Sequence, residues 1–405
     1  MKKRVFLIPV LLITFLVVGN LIYSYNSPGP NFSLDFDTDY KGKVIVVGAG
    51  ASGLTAAYTL EAKGIDVTVI EAQDVYGGRM KEAQDFADFP VDLGAEWIHE
   101  NPSILTRIAS ASSDDVDVET ITYSPRDVYE WGGELTKVSE TLTRLYSEYK
   151  FKDTTWFDFF DTYIVPSVRD RIILGQPVSS IDYSGDQVVV STVDNQTFQP
   201  KDTYSADSVI VTVPMTVLQN NYIAFNPALP DDKIAAINNV TVPDGIKVFV
   251  EFDEKFYPDI LEFTNYTDED KGHEKIYYDA AFGKDSDSYI LGLFTVGPGA
   301  DELVDLDDQQ IKNFVLAELD EIYDGKASRA YVKHIVANWA STAYIEGAYS
   351  TEISDRSQTI STLLEPLNRK VYFAGEALSI YNQATVPGAA ETGYNAARAL
   401  LDEAQ

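Results

Sequence analysis

Residues Lys43 to Arg79 read KVIVVGAGASGLTAAYTLEAKGIDVTVIEAQDVYGGR, and no other stretch constrains the fold as tightly. Val44 to Val47 is a β-branched run of the kind that forms a buried parallel strand. It ends in Gly48, Gly50 and Gly53, a GxGxxG turn. The pattern predicts a helix from about Ser52 to Ala62, stopped at Lys63-Gly64, and a second strand over Val67 to Ile70. That strand runs into Glu71, 23 residues past Gly48 and close to the roughly 20 expected between such a turn and a ribose-binding acid. The first glycine permits the tight turn, the second lets the backbone approach a pyrophosphate, and the third lets helix pack on strand. Ser52 opens the helix, whose free N–H groups and partial positive charge favour that pyrophosphate.

Gly77, Gly78 and Arg79 follow directly, and an arginine there can reach a phosphate bidentately. The segment resembles the FAD-binding signature of the flavin amine oxidase superfamily. That family often has an arginine two residues after the ribose acid, where this chain has Gln73.

The 405 residues carry a formal net charge of −32, which repels nucleic acid and draws small cations. With no cysteine, neither a disulfide nor a thiolate metal site is possible, and three histidines (His99, His273, His334) make an imidazole metal site unexpected. The basic Met1-Lys2-Lys3-Arg4 followed by the apolar Val5 to Ile22 marks residues 1–23 as a signal peptide or signal anchor, with the acidic body exported from the cytoplasm. Asn31, Asn195, Asn239 and Asn265 each begin an N-x-S/T sequon. Residues 24–40, rich in proline and aspartate, read as a linker.

Further motifs carry the resemblance through the chain. Asp92-Leu93-Gly94-Ala95-Glu96-Trp97 is similar to a polyamine oxidase segment that passes beside the flavin, and His99 stands where mammalian-type members have histidine. Residues 101–166 read as helical and polar. From Ile172 the pattern turns to strand, and the resemblance implies that Val178 meets adenine through its backbone. Pro243 to Phe252 opens a strand segment whose alternating faces are not cleanly apolar and polar, so the strand reads as buried on both sides and Lys247 within it must be paired or functional. A lysine at this place, followed by F-x-x-x-F (Phe252, Phe256), holds a water at flavin N5 in the family. Trp339 and Gly347-Ala348-Tyr349-Ser350 resemble the "W…G-x-Y-S" segment, implying a tryptophan near the flavin and Tyr349 as one aromatic wall. Glu376 matches a ribityl or pyrophosphate contact, and Thr385-Val386 open a final helix aimed at the flavin pyrimidine. Monoamine oxidases place tyrosine at the Thr385 position.

These residues predict an α/β chain: a Rossmann-type FAD-binding domain from 41–98, 167–240 and 336–405, with an interleaved α+β substrate domain from 99–166 and 241–335. The resemblance implies noncovalent FAD, a small-molecule amine substrate, most closely a polyamine, and O2 as acceptor. It implies no metal and leaves the oligomeric state open. Three other readings stand beside it: an L-amino-acid or monoamine oxidase, a desaturase or porphyrinogen-type oxidase, and a flavoprotein that binds without catalysis.

Overall fold

The computed structural model describes residues 32–112, 115–143, 147–268 and 272–402. The expected signal segment at 1–23 and the sequon at Asn31 lie outside the described residues. Among those described, no helix is long and apolar enough to cross a membrane.

The β-branched runs assemble into a five-stranded parallel sheet in the order Val371–Phe373, Ser208–Val211, Val44–Val47, Val67–Ile70, Ile172–Ile173. Its strands come from three distant parts of the chain, as a domain assembled from several segments requires. Helices Ala51–Ala62 and Val386–Asp402 cover one face, with Leu54, Tyr58, Ala390 and Tyr394 buried among them. The two helices meet where a Cβ on Gly393 would lie 2.0 Å from the Ser52 carbonyl oxygen, so only glycine permits the approach. On the opposite face Ile45, Val47 and Ile70 pack against a four-stranded sheet ordered Pro200–Ala206, Val188–Val193, Val178–Asp182, Ala224–Asn226.

A third sheet has seven strands: Tyr331–Asn338, Gly245–Phe252, Tyr289–Val296, His273–Asp279, Ile260–Asp268, Val128–Trp131, Leu135–Lys137. Helix Asp308–Ile322, capped at Asp307 by a reciprocal bond with Gln310, closes one face of it, where Phe252 and Phe256 pack edge-on. The other face meets the Phe86–Leu93 segment through Phe249, Tyr278 and Ile290.

Three expectations need correction. Residues 101–166 are not mainly helical: Thr120–Tyr123 pairs with Glu148–Phe151, and Val128–Trp131 adds to the seven-stranded sheet. Strand Tyr331–Asn338 belongs wholly to that sheet and runs across the expected division at 336. The expected linker at 24–40 is not a linker from Phe32 onward. Phe32, Leu34 and Phe36 alternate with exposed Ser33, Asp35 and Asp37, a period-two pattern that turns one edge inward. Phe32 is buried against Tyr394, the Tyr394 hydroxyl donates to Ser33 O at 2.6 Å, and Lys63 Nζ donates to Phe36 O at 2.6 Å.

Candidate active site

One cavity of about 1600 Å³ runs between the parallel and seven-stranded sheets. The residues singled out above for cofactor or chemistry line it, except Gly53 and the F-x-x-x-F pair Phe252 and Phe256, which pack on the far face of the seven-stranded sheet. Gly53 acts behind the turn, where a Cβ would fall 1.9 Å from Gly48 O. Gly48 has φ +102°, a left-handed conformation, whereas a Cβ on Gly50 would meet nothing nearer than Gly78 Cα at 4.0 Å. The turn is therefore closed on its inner side and open toward the cavity. Ser52 Oγ is buried at the start of its helix with no hydrogen-bond partner among the described residues. Both Glu71 carboxylate oxygens are placed by backbone N–H groups, Ala49 N at 2.7 Å and Gln73 N at 2.9 Å. Burial pushes its carboxyl above the ordinary range, against the pull of those N–H groups.

Farther along, Arg79 Nη1 donates to Ala348 O at 2.9 Å and to Glu376 Oε1 at 3.1 Å. Glu376 also accepts from Ser350 N, Ser350 Oγ and Ala384 N, so one carboxylate gathers three separate chain segments. Thr385 Oγ1 accepts from Gly388 N at 3.0 Å at the start of the last helix. Val178, Ala95 and Val386 line the wall between these points. Trp339 braces the Gly94 bend, its indole donating to Leu93 O at 2.9 Å.

Lys247 is 3% exposed. Its ammonium donates to Asp92 O at 2.9 Å, Gly94 O at 3.1 Å and Glu96 Oε2 at 2.6 Å. All three donor directions are taken, so a water held by Lys247 has to replace one of these acceptors. Glu96 Oε1 lies 2.5 Å from the Nζ of a second buried lysine, Lys150, and the Tyr278 hydroxyl donates to Oε2. Burial alone would raise the Glu96 carboxyl, but Lys150 and Lys247 hold it down, to about 2. Burial lowers Lys247, with Glu96 opposing. The rings of Trp97, Tyr123 and Tyr278 stand 4.9–5.3 Å from Lys150 Nζ. Nothing in the local sequence around Lys150 marks it; it becomes visible only through its pairing with Glu96.

The seven-stranded sheet presents a register row to the cavity. Lys247 opposes Phe294, Phe294 opposes Ile276, and Ile276 opposes Glu262. One row over, Glu274 opposes Val296, and Tyr349 Oη donates to Glu274 Oε2 at 3.2 Å. The Tyr349 and Phe294 rings are near-parallel, 4° apart in plane and 6.4 Å between centroids. Tyr349 is thus not a lone aromatic wall; Phe294, Glu262 and Glu274 went unmarked because only strand register brings them to this face. His99 has φ +58°, and its Nδ1 lies 3.7 Å from Glu148 Oε1. Glu100 and Glu391 line the same cavity, both carboxyls raised by burial.

Residues 160–401 match the family described as flavin containing amine oxidoreductase, and residues 46–109 match the NAD(P)-binding Rossmann-like domain. The chain belongs to the flavin containing amine oxidoreductase family. Among its relatives, a probable polyamine oxidase 4 of Arabidopsis thaliana is 26% identical, covering 88% of this chain and 86% of that protein. Lysine-specific histone demethylase 2 of Homo sapiens is 24% identical over 88% of this chain, which spans only 53% of that longer protein. Among solved structures, a putrescine oxidase variant superposes with a TM-score of 0.71 at 17% identity, covering 90% of this chain and 99% of that one. Cyclohexylamine oxidase from Brevibacterium oxydans gives 0.71 at 18% identity, covering 90% and 99%. These two likenesses show the fold. As a family member the chain is an FAD-dependent amine oxidase. The open face of the Gly48–Gly50 turn, the unpartnered Ser52 hydroxyl and the buried Glu71 carboxylate fit the adenosine-diphosphate half of FAD.

Proposed function

We propose that the chain oxidises a polyamine, with O2 giving hydrogen peroxide and hydrolysis of the imine giving an aldehyde. FAD, when bound, would supply the two-electron acceptor for oxidation of the carbon beside a neutral amine and for reduction of O2 to peroxide. The protein supplies orientation and charge. Gly48, Gly50, Ser52 and Glu71 hold the adenosine-diphosphate half. Arg79 serves the flavin-side phosphate, and Glu376 fixes Arg79. The helix start at Thr385-Val386 offers N–H groups to the far ring, where its dipole favours negative charge. Lys247 presents a fixed ammonium beside the bend at Gly94–Glu96. Tyr349 and Phe294 offer electron-rich faces to a substrate cation. His99, at the cavity rim, meets the amine chain.

The observation that carries the polyamine reading is the register row. Lys247 and Glu262 sit on one face, three strand spacings apart, or about 14 Å at roughly 4.8 Å each. An amine reacting beside Lys247 could reach Glu262 with a second ammonium only if its chain exceeds a four-carbon diamine. Glu274 offers an intermediate carboxylate. An amino-acid oxidase would need an arginine for the substrate carboxylate. Arg356 lines the cavity but donates to Ser379 O at 3.0 Å and Ile380 O at 3.1 Å. Arg169, Arg171 and Arg398 pair elsewhere with Asp161, Asp66 and Asp402. The export reading rests on residues 1–22 and the −32 charge, and places the body outside the cytoplasm.

Peroxide release across diamines, spermidine, spermine and benzylamine tests the reading. Glu262→Gln should raise KM for spermine and leave benzylamine unchanged. A preference for benzylamine, or no response of spermine to Glu262→Gln, overturns it. No peroxide from any amine would favour the binding-only reading.

A further inference from the structure

The adenosine end of the cavity carries two large aromatic side chains, Phe198 and Tyr222, that are exposed rather than packed into a core. Strand Val178–Asp182 begins beside Glu71, with Gln176 N donating to Glu71 O at 2.9 Å. It is flanked on one side by Val188–Val193 and on the other by Ala224–Asn226. The hairpin leaving the first flank carries Phe198, and the turn entering the second carries Tyr222. Both line the cavity, yet Phe198 is 67% exposed and Tyr222 43%.

The Phe198 hairpin is held firmly. Asp194 Oδ1 accepts from Gln196 N, Thr197 N and Thr197 Oγ1, and Phe198 N returns to Asp194 O. Asn195 Nδ2 donates to Asp74 Oδ1 at 2.8 Å, tying the tip to the loop that follows Glu71. Lys201 Nζ reaches both Asp194 and Gly175 O at 3.3 Å. This scaffold keeps Phe198 at φ +56°, a left-handed conformation unfavourable for a phenylalanine, with its ring turned away from any core. Tyr222 is fixed from the other side, its hydroxyl donating to the Glu346 carboxylate at 2.9 Å, which also accepts from Asn220 Nδ2. Two braced, exposed aromatic residues thus sit on the strand connections either side of Val178–Asp182.

We propose that Phe198 and Tyr222 are aromatic jaws that close on the adenine of FAD. The proposal rests on FAD as the cofactor. Glu71 and the glycine turn account for the ribose and pyrophosphate; the jaws add a stacking surface that those polar groups lack. A base stacked on an aromatic side chain gains enough that removing the ring weakens binding by roughly tenfold or more.

The test is release of FAD from the loaded enzyme, followed as free-flavin fluorescence after dilution. Phe198→Ala should release FAD about tenfold faster, and Tyr222→Ala should do the same. Phe198→Trp, which keeps a stacking face, should hold FAD like the wild type. Affinity of the flavin-free protein for riboflavin 5′-phosphate, which has no adenine, should not change in Phe198→Ala. Unchanged FAD release in Phe198→Ala overturns the proposal. So does a Phe198→Trp variant that loses FAD as fast as Phe198→Ala, or an equal loss of affinity for riboflavin 5′-phosphate. Wild-type protein that purifies without flavin and takes none up would instead count against FAD itself.

Discussion

Replacing Glu96 with glutamine keeps the side chain's size and removes the one charge that Lys150 and Lys247 share. Glu96 is 5% exposed, and the two ammonium groups lie 2.5 and 2.6 Å from its oxygens. A carboxyl held near 2 instead of its ordinary 4.5 is stabilised in the folded state by roughly 3 kcal/mol. Removing one partner of a buried ion pair costs about 3–5 kcal/mol, because the remaining charge stays buried. Glu96→Gln leaves two ammonium groups facing each other, so we expect a loss of about 3–5 kcal/mol at pH 7. Urea unfolding of the FAD-loaded protein, followed by circular dichroism, measures it. The folded Glu96 carboxyl lies below its unfolded value, so its contribution is complete above about pH 4.5 and fades as pH falls toward 2. The gap between wild type and Glu96→Gln should therefore narrow across that window. Replacing all three groups together, as Glu96→Leu, Lys150→Met and Lys247→Met, should recover most of the loss, since apolar packing substitutes well for buried ion pairs. A Glu96→Gln loss below about 1 kcal/mol, or a gap constant down to pH 3, refutes the reasoning.

Further outcomes follow from the site. Lys247→Met should keep FAD and slow turnover by roughly 10²–10³, the usual effect of losing one preorganised polar group; stopped-flow reduction and reoxidation rates equal to the wild type would make Lys247 a bystander. Acid precipitation should leave the yellow flavin in solution, because the chain has no cysteine for the familiar covalent link; colour on the pellet points to another linkage. Turnover of spermine should rise with pH as the reacting amine becomes neutral. On the acid side KM should climb early, since burial makes Glu100 and Glu391 protonate at higher pH than ordinary carboxylates. Added salt should lower kcat/KM for spermine more than for benzylamine, and equal salt slopes would remove the electrostatic argument.

The cofactor half was legible because its signals are local. Val44–Val47, the turn, helix Ala51–Ala62 and Val67–Ile70 are contiguous, and each is set by its own periodicity and glycines. Lys247 stood out as a charge in an apolar strand, and Gly245–Phe252 is that strand. What stayed hidden depends on partners far along the chain. Lys150 matters only once Glu148–Phe151 delivers it to Glu96. Phe294, Glu262 and Glu274 look like ordinary strand residues until register sets them opposite Lys247 or beside Tyr349. Short strands between 120 and 151 read as helix because their partners supply the order that their own sequence lacks. At Phe32–Asp37 a clear alternation was outweighed by neighbouring proline and aspartate.

The Glu376 carboxylate gathers Arg79, Ser350 and Ala384, and Arg79 precedes it by 297 positions. On a ribosome adding about 5–20 residues per second, roughly 15–60 seconds separate the two ends of that single contact. The strand Val371–Phe373 and the helix that seats Gly393 on Ser52 arrive later than nearly everything else. During that interval the first helix has one flank uncovered and the flavin has no finished seat. A nascent chain that ends before Glu376 would therefore carry the complete glycine turn and lack the carboxylate that fixes Arg79.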